Sequence, residues 1–285
     1  MNEPIADKIA IARRRLTSAI EAHRPTHVFG LFSGGHDSFS ACFVASGVHH
    51  FNGVAHINTG WGVEATREYV RETCAIRGWG LREYKASENV RARDGAPDPQ
   101  DYAALVRVHG FPGPHGHGMM YQRLKERQLR RLERDYGAKS KDGQRIMYVS
   151  GCRSEESDRR MGNTDEVQID GRRIWCAPIH DWSKLDTTNC LEHASQPRNP
   201  VVDLIHKSGE CLCGAFAKKG ELEELNIWDI TRPAYLRIKA LEAEVVPIFG
   251  RGWGERPRRD NQTREMFTGP LCWGCDKLQT PEVIR

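Results

Sequence analysis

Apolar and polar positions follow two periods along this chain. Residues 5 to 22 place Ile9, Ala12, Leu16 and Ile20 at three- and four-residue intervals with Arg13, Arg14 and Arg15 turned away, which predicts an amphipathic helix. Pro25 is expected to end it. Val28 to Phe32 is then a short apolar run that empties into Ser33-Gly34-Gly35-His36-Asp37-Ser38 and resumes as Phe39 to Ala45. A buried strand, a glycine turn and a helix are expected in that order. Gly53 to Gly60 reads as a second strand ending in a turn, Glu64 to Ile76 as a helix, and Leu81 to Lys85 as a third strand. Strands alternating with helices at this spacing predict an α/β fold, a parallel sheet with helices on both faces. Ligands of such sheets gather at the carboxyl ends of the strands.

Arg91 to Gly118 breaks the rhythm with Gly, Pro and His around Phe111 to His117, and is expected to form a solvated lid or binding loop. Met120 to Tyr136 resumes a helical pattern, with Leu124, Leu129 and Leu132 inward and Arg123, Arg127, Arg130 and Arg134 in one stripe. Ile146 to Ser150 is the fourth expected strand and leads into a turn rich in arginine, Gly151 to Arg160. Asp170-Gly171 has the form of a hairpin turn between Val167–Ile169 and Arg173–Cys176. A helix is expected over Thr187 to His193. The remainder holds Cys211-Leu212-Cys213, a helical stretch through Glu242, a Gly/Arg-rich loop over 250–259, and Cys272-Trp273-Gly274-Cys275. We expect a nucleotide-binding domain over 1–205, its first 24 residues the N-terminal helix, and a C-terminal region over 206–285 packed on it.

Composition narrows the function classes. A chain of 285 residues is long enough to bury a core without disulfide staples. No apolar stretch approaches the roughly 20 residues of a membrane span and no signal-peptide core is present, so a cytoplasmic protein with no membrane partner is expected. The balance of 42 Lys and Arg against 38 Asp and Glu is too even to announce nucleic-acid binding, which must rest on local clusters. Nine cysteines form no disulfide framework in such a chain, and the four in tight pairs suggest a metal. Cys272-x-x-Cys275 is a good half of a metal site. Cys211-x-Cys213 is tighter than a zinc knuckle, so spacing leaves zinc and iron–sulfur open.

The turn over 33–38 carries the clearest chemistry. Backbone N–H groups at a helix start, unobstructed glycines and two serine hydroxyls make a nest for phosphate, and Asp37 is placed to hold magnesium on that phosphate. No Gly-Lys-Ser/Thr follows, so it is not a Walker loop, and it lacks the G-x-G-x-x-G of dinucleotide folds.

The hexapeptide resembles the pyrophosphate loop of the adenine nucleotide alpha hydrolase superfamily. Further stretches resemble one branch of it, the phosphoadenosine phosphosulfate (PAPS) reductase family. They are His56-Ile57-Asn58-Thr59-Gly60 with Glu64, Gly110-Phe111-Pro112 with Leu124-Lys125, Gly151-x-Arg153-x-x-Glu156-Ser157-x-x-Arg160, Trp182, and Asn199-Pro200 with Asp203. The resemblance runs from about residue 25 to 213 and implies a Rossmann-like, adenine nucleotide alpha hydrolase-like sheet. It implies phosphate contacts from Ser33, Gly34, Gly35, His36, Asp37 and Ser38. Asn58, Thr59, Gly60, Gly151 and Glu156 would lie on the nucleotide, and Arg153, Arg160 and Lys125 on the reacting anion. Two reductase features are missing. Met119-Met120-Tyr121 stands where cluster-bearing reductases have a cysteine pair, and no nucleophilic cysteine follows Cys275.

The resemblance implies ATP with magnesium as the nucleotide, and a [4Fe–4S] cluster or a structural zinc on Cys211, Cys213, Cys272 and Cys275. The leading expectation is an enzyme that adenylylates a substrate with release of pyrophosphate, for sulfur transfer, with a sulfur donor protein and a DNA or tRNA substrate as the partners in view. Two alternatives stay open: a PAPS or adenylyl-sulfate reductase, and a nucleic-acid-binding protein on a nucleotide-binding scaffold, resting on the arginine stripe and on Arg251, Arg256, Arg258 and Arg259.

Overall fold

The computed structural model of the protein describes residues 3–89, 101–137, 144–156 and 165–255. Helix α1 (Ile5–His23) buries the expected stripe of Ile9, Ala12, Leu16 and Ile20 and ends at Arg24, whose φ of 47° turns the chain. Strand β1 (His27–Leu31), α2 (His36–Ser46), β2 (Phe51–Asn58), α3 (Glu64–Ile76) and β3 (Leu81–Lys85) follow in the predicted alternation. Strands β4 (Ile146–Val149), β5 (Val167–Asp170) and β6 (Arg173–Cys176) complete a six-stranded sheet in the order β3-β2-β1-β4-β6-β5. All neighbouring pairs are parallel except β5 with β6, the hairpin closed at Gly171.

The pleat sorts the strand residues to two covered faces. Val28, Met147, Val149 and Ile174 pack with α1, α2 and α7 (Lys184–His193). Phe29, Ala55, Ile146 and Tyr148 pack on the other face with Leu129 and Leu132 of α6 (Arg127–Asp135). The protein is thus α/β with a Rossmann-like sheet. A further core joins Tyr102, Leu105, Phe111 and Leu124 to Leu212, Leu225, Ile238, Leu241 and Trp253. It seats α8 (Pro200–Ile205), α9 (Glu221–Ile227) and α10 (Arg232–Phe249) beside the carboxyl end of the sheet. Among the described residues no helix is long and apolar enough to cross a membrane.

Three expectations change. The expected irregular lid contains α4 (Tyr102–His109), which buries Tyr102, Leu105 and Val106 and is capped by the Asp101 side chain on the Ala104 N–H. The Gly, Pro and His residues around it mask this short helix. The single helix expected from Met120 is instead α5 (His117–Tyr121), a π turn over Gln122–Glu126, and α6. The helix expected from Thr187 starts at Lys184, where Ser183 and Asp186 form a reciprocal capping box. Arg160, Ser157, Cys272, Cys275, Arg256, Arg258 and Arg259 lie outside the described residues, as does the side chain of Glu156.

Candidate active site at the carboxyl ends of the strands

Strand β1 leads the chain toward β2 and β3, whereas its neighbour β4 leads toward β6 and β5. The crevice between β1 and β4 is therefore the topological switch point, where sheets of this type take their ligands. The loops that meet there are 32–36 after β1 and 150–154 after β4.

The first loop is folded by its own hydroxyls. The Ser33 N–H donates to Ser38 Oγ at 3.2 Å, and the Ser38 hydroxyl donates to the Gly35 carbonyl at 2.9 Å. Gly34 has φ of 82°, in the left-handed region. Its carbonyl accepts the Asn199 amide at 2.9 Å. Gly35 stands at the N-cap of α2 without a side-chain cap, so the first-turn N–H groups and the positive end of the helix dipole face the crevice. His36 is buried, which pushes its imidazole below the usual range, and its Nε2 has no partner among the described residues.

The second loop lies directly on the first. A Cβ at Gly151 would fall 2.5 Å from the Asp37 carbonyl carbon and 2.6 Å from the Ser38 nitrogen, so only glycine fits between the loops. Cys152 follows, half-buried. Arg153, 7 % exposed, then reaches back with Nε 3.0 Å from Asp37 Oδ1. Its Nη1 donates to the Trp182 carbonyl at 3.3 Å. The predicted pyrophosphate loop and the predicted anion-binding arginine thus meet at the Asp37 carboxylate.

The end of β2 is tied elsewhere. Asn58 donates its amide to Glu83 Oε1 at 2.6 Å and accepts the Gly60 N–H at 2.9 Å. Thr59 is fully buried, with its N–H on Glu210 Oε1 at 2.9 Å and its hydroxyl on the Glu210 carbonyl at 2.8 Å. Burial pushes the Glu210 carboxyl up, against His56 and Arg67, which pull it down. The His56 ring lies between Glu210 and the Phe32 carbonyl, with Nδ1 2.7 Å from the latter. Glu210 had no sequence signal, because its partners stand far off in the chain.

Cys211 and Cys213 follow at once. The neighbouring Cys213 thiol pulls Cys211 below the usual thiol range, while Cys213 itself is pushed up. The Lys125 ammonium, carried on the π turn, lowers both. The Cys213 carbonyl accepts Tyr102 Oη at 2.8 Å and the Leu212 carbonyl accepts the Trp253 indole at 2.7 Å, which fixes the segment. Two converging thiols with a depressed first member suit a soft metal. Among the described residues no group of three ligands forms.

The arginine stripe is partly committed. Arg130 pairs with Glu126 at 2.9 Å, and the π turn sets Arg123 off the row of Arg127, Arg130 and Arg134.

No protein-family model and no curated protein matches the chain. Among solved structures it is similar to the phosphoadenylyl-sulfate (PAPS) reductase of Candida auris in a phosphate complex, at 15% identity over 68% of this chain and 84% of that one, with a TM-score of 0.48. It is similar to the FMN adenylyltransferase of Candida glabrata in complex with FMN and the ATP analog AMPCPP, at 11% identity over 72% of this chain and 64% of that one, with a TM-score of 0.47. It is also similar to the U34-tRNA thiolase NcsA of Methanococcus maripaludis with its [4Fe-4S] cluster, at 9% identity over 99% of this chain and 91% of that one, with a TM-score of 0.45.

Proposed function

We propose that the protein binds ATP by its pyrophosphate end and adenylylates an acceptor, releasing pyrophosphate, as the activating step of a sulfur transfer. The observation that carries this reading is the contact of the two switch-point loops. An uncapped helix start with two glycines faces the same crevice as the Asp37–Arg153 pair. An acceptor oxygen attacks the α-phosphorus, the bond to the bridging oxygen breaks, and the electron pair leaves with pyrophosphate.

The N–H groups of the Gly34–Ser38 turn and the Ser33 hydroxyl stabilise that leaving charge, while Ser38, donating to the Gly35 carbonyl, holds the turn in shape. Asp37, with its side chain 26% exposed beside them, fits a magnesium ion, which would neutralise phosphate charge there. Arg153 clamps the anion with Arg160, and Lys125 stands by the cysteines to receive negative charge. Asn58, Gly60 and Gly151 are assigned to the wall against the nucleotide, which Thr59 holds from the buried side, and Glu156 is assigned to the same wall by the family resemblance alone.

Cys211 and Cys213, with Cys272 and Cys275, are assigned to a [4Fe–4S] cluster or a zinc ion; the former would supply sulfur chemistry and the latter a structural tie. Sulfur then displaces adenylate from the acceptor, and a sulfur donor protein and a tRNA or DNA acceptor are the partners to test.

The experiment is pyrophosphate release from ATP with tRNA, DNA and small acceptors, after anaerobic purification with iron, zinc and sulfide analysis. Acceptor-dependent release that Asp37→Ala abolishes is expected. Absent ATP binding, or full activity of Asp37→Ala, overturns the reading. Thioredoxin-dependent sulfite formation from PAPS or adenylyl sulfate would replace it with a reductase.

A further inference from the structure

We infer that Glu210 is a positioning residue: together with His56 it registers the Cys211–Cys213 pair on the nucleotide turn, so that ATP bound at the pyrophosphate loop covers the Cys211 thiol. This rests on the proposed nucleotide site and adds to it the link between that site and the cysteines.

The link runs through side chains that are out of water. Glu210, 4 % exposed, accepts the Thr59 N–H on Oε1 at 2.9 Å, and its own carbonyl accepts the Thr59 hydroxyl at 2.8 Å. The other carboxylate oxygen faces His56 Nε2 at 3.5 Å and Arg67 Nε at 3.7 Å. A carbonyl only accepts, so the 2.7 Å contact of His56 Nδ1 with the Phe32 carbonyl is a donation by the ring. Phe32 is the residue before Ser33, and Cys211 is the residue after Glu210. One pair of buried side chains therefore spans from the first peptide of the phosphate loop, past the turn over 58–60, to the first thiol. A carboxylate this deep is costly without partners, and the partners it has lie in β2, in the turn after β2 and in α3.

The backbone seats the same segment independently. The Thr66 hydroxyl donates to the Ser208 carbonyl at 2.5 Å, the Val63 N–H to the Gly209 carbonyl at 2.9 Å and the Leu212 N–H to the Trp61 carbonyl at 3.2 Å. Residues 209–212 thus lie along residues 61–63, and the two segments touch between those bonds, since a Cβ at Gly62 would fall 2.3 Å from the Glu210 carbonyl oxygen. This ladder holds the segment on the loop without the Glu210 side chain. What the carboxylate adds is the tie to Thr59 and, through His56, to Phe32. Removing it is expected to leave a folded protein whose loop binds ATP but whose cysteines no longer keep register with the nucleotide.

Alkylation by iodoacetamide tests the inference on the full-length protein stripped of iron and zinc by a chelator. The rate is resolved at Cys211 by mass spectrometry with and without ATP, and ATP affinity is measured by calorimetry. At ATP about ten times its Kd the unliganded fraction is about one-tenth, so wild-type Cys211 should react about tenfold more slowly than without ATP. In Glu210→Ala that ratio should fall close to unity while ATP still binds. Glu210→Gln, which keeps an oxygen for the Thr59 N–H, should restore it. General loosening of the fold does not imitate this result, because it speeds alkylation with and without ATP alike. Wild-type protein that binds ATP yet leaves Cys211 unprotected overturns the inference while leaving the nucleotide site standing, whether or not the variants fold. Full protection in Glu210→Ala, or no rescue by Glu210→Gln, also overturns it. So does ATP affinity lost in parallel with protection, because Glu210 would then be structural. Wild-type protein that binds no ATP overturns the proposed function itself.

Discussion

The Arg153 guanidinium sits between the Asp37 carboxylate and the Trp182 carbonyl, almost out of water. Asp37→Ala leaves that charge with only the exposed Glu155 carboxylate, 3.6 Å away, and a loss of about 2 kcal/mol in urea unfolding is expected, below the range for a fully buried pair because the Asp37 carboxylate is partly wet. Glu83 gives a pH signature. The Arg71 hydrogen bond, with Asn58 assisting, holds its carboxyl down at about 2 from an ordinary 4.5. The folded protein therefore binds that proton less readily than the unfolded chain. The stabilisation is complete above 4.5 and is lost as pH falls from there through about 2. Urea midpoints measured across that window should fall less steeply for Glu83→Gln than for wild type; identical slopes would refute the assignment. At this scale the loop over 33–38 was legible, since glycines and hydroxyls in one short run state their backbone chemistry locally. Glu210 and Ser208 were not. Their partners Thr59 and Thr66 lie 151 and 142 positions away, and no periodicity links them.

Among the elements, the π turn over Gln122–Glu126 is the one that sequence periodicity mis-stated. A helical pattern continues through it, and the extra residue shows only as a phase shift in the side chains. Its buried Glu126 is gripped by Arg173 of β6 at 2.7 Å, and Arg173 also binds Glu133 of α6. Arg173→Met would leave two nearly buried carboxylates without their shared cation. A loss of about 3 kcal/mol is expected in denaturant titration, with Glu126→Gln costing less. The same anchor fixes the π turn that carries Lys125, so Arg173→Met should also lower acceptor-dependent pyrophosphate release. Helix α4 illustrates the opposite failure. Its Asp101 cap and buried Tyr102, Leu105 and Val106 are ordinary helix signals, but eight residues are too few to outweigh the glycine- and proline-rich surroundings.

For the molecule as a whole, a net charge of +4 gives weak long-range attraction, and any contact with tRNA or DNA must come from local arginines. Complexes with either polymer are expected to weaken by about tenfold or more between roughly 50 and 200 mM salt, read by fluorescence anisotropy, and an affinity indifferent to salt would exclude phosphate contacts. The parallel sheet and its two covered faces could be anticipated because alternating strands and helices admit few arrangements, whereas the order β3-β2-β1-β4-β6-β5 came only from the structure. The second core, in which Leu212 and Trp253 join Tyr102 and Leu124, could not, since it is assembled from segments with no common repeat. The short run from Ser208 to Cys211 has a kinetic consequence. Three peptide units span at most about 11 Å, and Ser208 packs against Gly35 of the loop, so in the proposed reaction a phosphate at that loop and the Cys211 thiol would lie within the reach of a single bound nucleotide. In the proposed reaction an activated acceptor would then meet its sulfur before it could diffuse away, and the branching ratio between thiolation and wasteful hydrolysis would be set by geometry rather than by the concentration of donor in solution.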